Sequence, residues 1–137
     1  MVKKYAVIIF LFSGLFLWLQ LSDGGDRDTV PPKVIDTNPK NHAGNVDPSL
    51  TRITVTFSKP MLDKSWSWSY EDKGTFPQMN GEPYYTDNAT ICTLPVILEP
   101  NKQYVIWINT KRHTNFRDRV GNPVEPFKLT FKTGMKR

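Results

Sequence analysis

Cysteine is nearly absent. The chain has 137 residues and a single cysteine, Cys92, which excludes an intramolecular disulfide and leaves the fold to hold by burial alone. Histidine is almost as scarce: His42 and His113 stand far apart, and no His/Cys spacing resembles a zinc site. The carboxylates are dispersed, so acid–base work by a neighbouring pair has no footing. No glycine-rich phosphate loop, nucleophile elbow or Ser/His/Asp arrangement is present, and no segment repeats its apolar residues at a helical period. The expectation is a protein without catalysis, cofactor or metal.

The one long apolar run comes first. Lys3 and Lys4 form a positive flank, and Ala6 to Leu19 follows with only Ser13 and Gly14 interrupting it. Such a run is short for a membrane span, which takes roughly 20 apolar residues, although Tyr5 and Gln20–Leu21 extend it. Residues 1–24 are therefore expected to be a signal peptide, cut after Gly24 where Ser22 and Gly24 supply small residues, or else an N-terminal anchor in the inner membrane through residues 5–21. No cysteine lies near the cut, which excludes a lipidated N-terminus. The protein is expected to be exported, whether periplasmic, cell-surface or secreted, touching membrane only through this segment if it is kept. Residues 25–32 are polar, glycine-rich and then proline-locked, and read as a linker.

What remains, residues 33–134, has the length of one domain. Ile53, Val55 and Phe57 alternate with Arg52, Thr54 and Thr56, the period-two pattern of a half-buried strand; Phe127, Leu129 and Phe131 repeat it against Lys128, Thr130 and Lys132. Further strands are expected at 33–37, 66–70, 90–94 and 103–108. Asn38-Pro39, Asp47-Pro48, Asn80-Gly81, Glu99-Pro100-Asn101 and Gly121-Asn122-Pro123 supply turns between them. The pattern predicts an all-β antiparallel sandwich of two sheets and about seven strands. Cys92, inside such a strand, is expected to be a small buried hydrophobe, with intermolecular pairing or metal capture as the alternative.

Five short motifs then occur in order: Pro32-Lys33-Val34-Ile35 leading through Val46-Asp47-Pro48, Phe57 to Met61 (FSKPM), Leu98 to Tyr104 (LEPNKQY), Asp118 to Asn122 (DRVGN) and Phe131 to Gly134 (FKTG). In this the chain resembles the bacterial Ig-like domain of the surface-layer protein type, from about Val30 to Gly134. The resemblance implies an Ig-like sandwich, and a module of a kind usually found among several in long surface or secreted proteins. The segment WSWSYEDKGTFPQMNGEPYY departs from it in being unusually aromatic.

Candidate sites follow from what those motifs leave over. Trp66, Trp68 and Tyr70 share one face of their strand; they either fill the core or join Phe76, Tyr84 and Tyr85 in an exposed platform on which a sugar ring or a partner stacks. Tyr104, Ile106 and Ile108 are expected inward, with Tyr104 as the corner tyrosine of such sandwiches. Trp107 then faces outward, packed under the stems of Lys128 and Lys132 or open to a ligand. Lys111, Arg112, His113, Arg117 and Arg119 crowd one loop, which is a solvated loop or an acidic-ligand site. With no groove-entering element they do not make a nucleic-acid reader. Asp118, Gly121 and Asn122 have oxygens that suit calcium, but too few, and read first as a tight turn. The functional expectation is an interaction or adhesion module of the bacterial envelope whose partner is a protein or an envelope polysaccharide; the alternatives are a structural accessory with no ligand and a binder of metal or acidic ligands.

Overall fold

The computed structural model describes residues 6–12, 15–21 and 25–137, the first two ranges through their backbone alone. Ala6–Phe12 (β1) and Leu15–Leu21 (β2) pair antiparallel. Lys3, Lys4 and the expected cleavage residues Ser22 and Gly24 lie outside the described residues. Among the described residues no helix is long and apolar enough to cross a membrane.

Residues 25–137 contain nine strands: β3 (Val34–Asn38), β4 (Ala43–Val46), β5 (Arg52–Phe57), β6 (Trp68–Ser69), β7 (Gln78–Met79), β8 (Tyr84–Thr86), β9 (Ile91–Ile97), β10 (Gln103–Ile108) and β11 (Phe127–Thr133). One sheet runs β4-β11-β10-β6; the other runs β3-β5-β9-β7, with β8 pairing further along β9. The pairings are antiparallel except β4 with β11, which is parallel. The fold is the expected all-β, Ig-like two-sheet sandwich. It has more strands than the seven or so anticipated, because β4, β7 and β8 are only two to four residues long and show no apolar period, while the strand expected at 66–70 is cut to Trp68–Ser69.

The alternation in β5, β10 and β11 has the expected consequence. Ile53, Val55, Phe57, Tyr104, Ile106, Ile108, Leu129 and Phe131 are buried together with Cys92, Leu94 and Val96 of β9. Each fully buried side chain of this size removes enough apolar surface from water to stabilise the fold by roughly 1.5–3 kcal/mol. Such a continuous core is what a chain without a disulfide needs.

Each end of the sandwich is closed by the motifs named above. At one end the Tyr104 hydroxyl accepts from the Glu99 N–H at 2.8 Å, and its ring stacks on Phe131 with centroids 5.3 Å apart. Thr133 donates to the Glu99 carbonyl at 2.6 Å and accepts from the Lys102 N–H at 2.9 Å. Gly134 donates to Val46 and accepts from Asn101, both at 2.8 Å. A Cβ at Gly134 would fall 2.1 Å from Asn45 Oδ1, so a side chain there would force the Asn45 amide to turn away.

The opposite end is held by Asp118. Its Oδ1 accepts from the N–H groups of Val120 and Asn122 at 3.1 and 2.9 Å, and its Oδ2 from the Asn122 amide at 2.9 Å and from Lys59 Nζ at 3.4 Å. Lys59 also bonds both oxygens of Asp28, at 2.9 and 2.8 Å, and the Val30 carbonyl; the Asn122 amide reaches the Asp28 carbonyl at 3.0 Å. The stretch read as a linker is thus strapped to the domain from Asp28, and Pro32 is buried. Asp28 and Gly134 consequently sit at opposite ends of the sandwich.

Candidate functional site

Strand β6 is the least regular part of the four-stranded sheet, and its irregularity makes a groove. Only Trp68 and Ser69 join the ladder, opposite Ile108 and Trp107. On either side the backbone is held by other means. The Ser67 carbonyl accepts from the Asn109 N–H at 3.2 Å, the Ser67 hydroxyl accepts from the Asn115 N–H at 2.9 Å, and the Ser65 carbonyl accepts from the Tyr85 hydroxyl at 2.7 Å. Burial pushes the Tyr85 phenol upward, so it stays a protonated donor.

Beyond β6 the chain turns away from the sheet at Tyr70. Its ring rests against Phe76 with centroids 5.5 Å apart, and Phe76 itself packs on the core. A short 3-10 turn, Lys73–Thr75, joins the two, capped by the Asp72 carboxylate accepting from the Gly74 N–H at 2.8 Å. An open groove of about 580 Å³ results, walled by Trp66, Trp68, Tyr70, Met79 and Pro83, with Ser67, Ser69 and His113 as its polar members. Tyr70 is 48% exposed and Met79 45%.

The aromatic residues singled out in the sequence do not form one platform. Trp68 turns inward and meets Phe116 edge-on at 5.3 Å; Trp66 lies 6.0 Å from Tyr85, and all three pack on the core. Tyr84 pairs with Thr93 and so lies on the outer face of the five-stranded sheet, 40% exposed. Trp107 faces out from the other sheet, opposite Lys128, whose ammonium sits 5.7 Å from the ring centroid. Among the described residues its indole N–H is buried without a hydrogen-bond partner, as is that of Trp68. The structure therefore brings Trp66, Trp68 and Tyr70 to one groove with His113, and leaves Tyr84, Tyr85 and Trp107 elsewhere.

The basic loop also divides. Lys111, Arg112 and His113 are exposed on one turn, closed by the Thr110 N–H donating to the His113 carbonyl at 2.8 Å, while the Thr110 hydroxyl accepts from Arg112 and His113 N–H groups at 3.3 and 3.1 Å. Arg117 folds back: it donates to the Thr114 carbonyl and hydroxyl at 2.8 Å each and to the Gly121 carbonyl at 3.3 Å. Arg119 reaches the Asn88 side chain at 3.1 Å. Those two cations brace loops.

Sequence reasoning missed Asn109, which sets where the turn lies. It is fully buried at φ 63°, a left-handed conformation that asparagine tolerates. Its amide donates to the Phe116 and Val124 carbonyls at 3.0 and 2.8 Å and its oxygen accepts from the Phe116 N–H at 2.9 Å. An asparagine at a strand end was the only signal for it.

Among the described residues no group of three His, Cys, Asp or Glu side chains could hold a metal ion. Asp118 lies 2% exposed with both oxygens engaged by donors, one of them an ammonium, and the Asp118–Asn122 loop is a turn. Cys92 is fully buried, and burial pushes its thiol up to about 12, as expected of a core residue.

Comparison with known proteins adds a family to this geometry. The profile of the family described as Bacterial Ig-like domain matches residues 28–133. A search of the curated proteins finds no match. Among solved structures, the S-layer protein rSbsC (residues 31–844) is similar with a TM-score of 0.47 and 19% identity over 77% of this chain. Domains 1–6 of the surface layer protein SbsC are similar with a TM-score of 0.42 and 19% identity over 77% of this chain. The present chain spans 14% of each of those two chains.

Proposed function

This chain belongs to the bacterial Ig-like domain family, and on that premise we propose that it is an exported, non-catalytic module of the cell envelope that acts by contact, through the groove beside β6. The observation that carries the reading is the groove itself. Tyr70 and Met79 stay exposed on a backing that is otherwise packed and hydrogen-bonded, and half-exposed aromatic and methionine side chains are enriched where proteins meet partners. Export rests on the positive flank and apolar run of residues 1–24.

Trp107 is not the contact residue in this reading, since Lys128 covers its ring. Retention of the protein on its own envelope fraction is expected to fall in Tyr70→Ala and to be unchanged in Trp107→Phe. Equal retention of the wild type and Tyr70→Ala, both shown folded by thermal melting, would remove the groove from the reading.

The second reading is a structural accessory without a ligand. Its support is that Trp66 and Trp68 pack on the core. Absence of any retention on the envelope would favour it.

A further inference from the structure

We propose that the groove takes an anionic polysaccharide, a sugar chain carrying carboxylate or phosphate groups. The inference rests on the reading above that the groove is the contact surface, and it names the class of partner.

A sugar ring has an apolar face of C–H groups and an equator of hydroxyls. It needs a fixed aromatic ring to lie on and short polar side chains around it. Tyr70 supplies such a ring, backed by Phe76 so that little side-chain freedom is left to lose on binding. Ser67, Ser69 and His113 are the polar members beside it.

Charge decides between a neutral and an acidic chain. Among the described residues no lining residue is acidic. Lys111, Arg112 and His113 stand together on the turn that borders the groove, and among the described residues neither Lys111 nor Arg112 makes an ion pair. Glu71 and Glu82 neighbour Tyr70 and Pro83 in sequence but are exposed and outside the lining, and the Asp72 carboxylate, held at the Gly74 N–H, is outside it too. The turn is pre-set by the Thr110 hydroxyl and by buried Asn109, so binding has to order the side chains of its cations but not their backbone.

Size argues against a folded protein. A stable protein interface buries about 800 Å² on each side around several anchoring side chains. Here Tyr70 and Met79 are the exposed large apolar residues of the lining, enough for one or two sugar rings.

The test is affinity electrophoresis of the full 137-residue chain, in non-ionic detergent, through native gels containing polygalacturonate, poly(glycerol phosphate) or neutral dextran. Retardation in an anionic gel is expected, in the first, the second or both according to whether carboxylate or phosphate is the bound group, and dextran should not retard. Tyr70→Ala should raise the apparent dissociation constant about tenfold or more, as should the double variant Lys111→Gln/Arg112→Gln, whose positions are exposed and tolerate change. Retardation by dextran equal to that of the anionic gels overturns the proposal. So does anionic retardation that survives both variants, which would report net positive charge alone. If no gel retards the chain while its envelope fraction still retains it, the polysaccharide is wrong and the contact reading stands; if the envelope also fails to retain it, both fall.

Discussion

Lys59 and Asp118 are 59 positions apart in sequence, and the ammonium of one meets the carboxylate of the other at 3.4 Å. The pair joins the FSKPM stretch to the DRVGN loop, and through Asp28 it holds the entry of the chain into the domain. Two motifs that read as separate marks of a family are one latch.

That latch makes stability depend on acid. Burial opposes the charge of Asp118, but donors from the Asn122 side chain, the Asn122 and Val120 N–H groups and Lys59 outweigh it and hold the carboxyl below its ordinary value of 3.8. A carboxyl with a lower pKa folded than unfolded contributes stability above the unfolded value and loses it as pH falls through the folded one. Asp118→Asn is therefore expected to flatten the fall in stability below about pH 4, as measured by urea unfolding across pH. Asp118→Ala takes the acceptor from the Val120 and Asn122 N–H groups and leaves Lys59 and the Asn122 amide only their bonds to the Asp28–Val30 stretch, and should cost about 3 kcal/mol at neutral pH. A wild-type and Asp118→Asn pair with the same acid dependence would contradict the latch.

At the other end of the sandwich, Tyr104→Phe removes one hydroxyl and leaves the Glu99 N–H without its partner. A lost hydrogen bond of this kind costs about 1–2 kcal/mol, and about 4–8 °C of melting temperature per kcal/mol in a domain of this size. The denaturation midpoint should drop while the slope holds. An unchanged midpoint would show that the corner is not closed by that bond.

Cys92 is expected to be inert in the native protein. It is fully buried with its thiol pushed up to about 12, so little thiolate exists and no reagent reaches it. Labelling by a disulfide-exchange reagent at pH 8 should rise with urea in step with unfolding. Rapid labelling without denaturant would take Cys92 out of the core.

How much of this was readable depended on whether one face of a strand meets the core. In β5, β10 and β11 it does, and Ile53 and Leu129 could be assigned inward from alternation, whereas Tyr104 needed its reading as a corner tyrosine, since Val105 and Trp107 make the other face of β10 apolar too. Trp66 to Tyr70 alternates just as cleanly, yet only two of its residues pair, because the Ser67 carbonyl and hydroxyl are taken by Asn109 and Asn115. Thr93 breaks the pattern in β9: it is buried between Cys92 and Leu94, with Tyr84 opposite it on the outer face. Nor does a count of charges show direction. Arg117 looks equivalent to Lys111 in the sequence, but its guanidinium turns inward to Thr114 and Gly121. The walls of the groove, Trp66 to Pro83, all lie in the aromatic segment that stands out in the sequence. Its shape could not be read, since it depends on where the chain leaves the sheet at Tyr70 and on His113, brought in from far along the chain by a turn placed by Asn109.

The strap at Asp28 and the closure at Gly134 sit at opposite ends of the sandwich, and this has a mechanical consequence. Tension between these two points pulls β3 and β11 lengthwise, in opposite directions, against β5 on one sheet and against β4 and β10 on the other. Ladder hydrogen bonds loaded along the strand share the force and yield together, whereas bonds peeled from one end yield singly. The domain is thus expected to resist stretching as a stiff link that gives way in one high-force step. A single-molecule trace showing gradual, low-force extension between these points would rule that out.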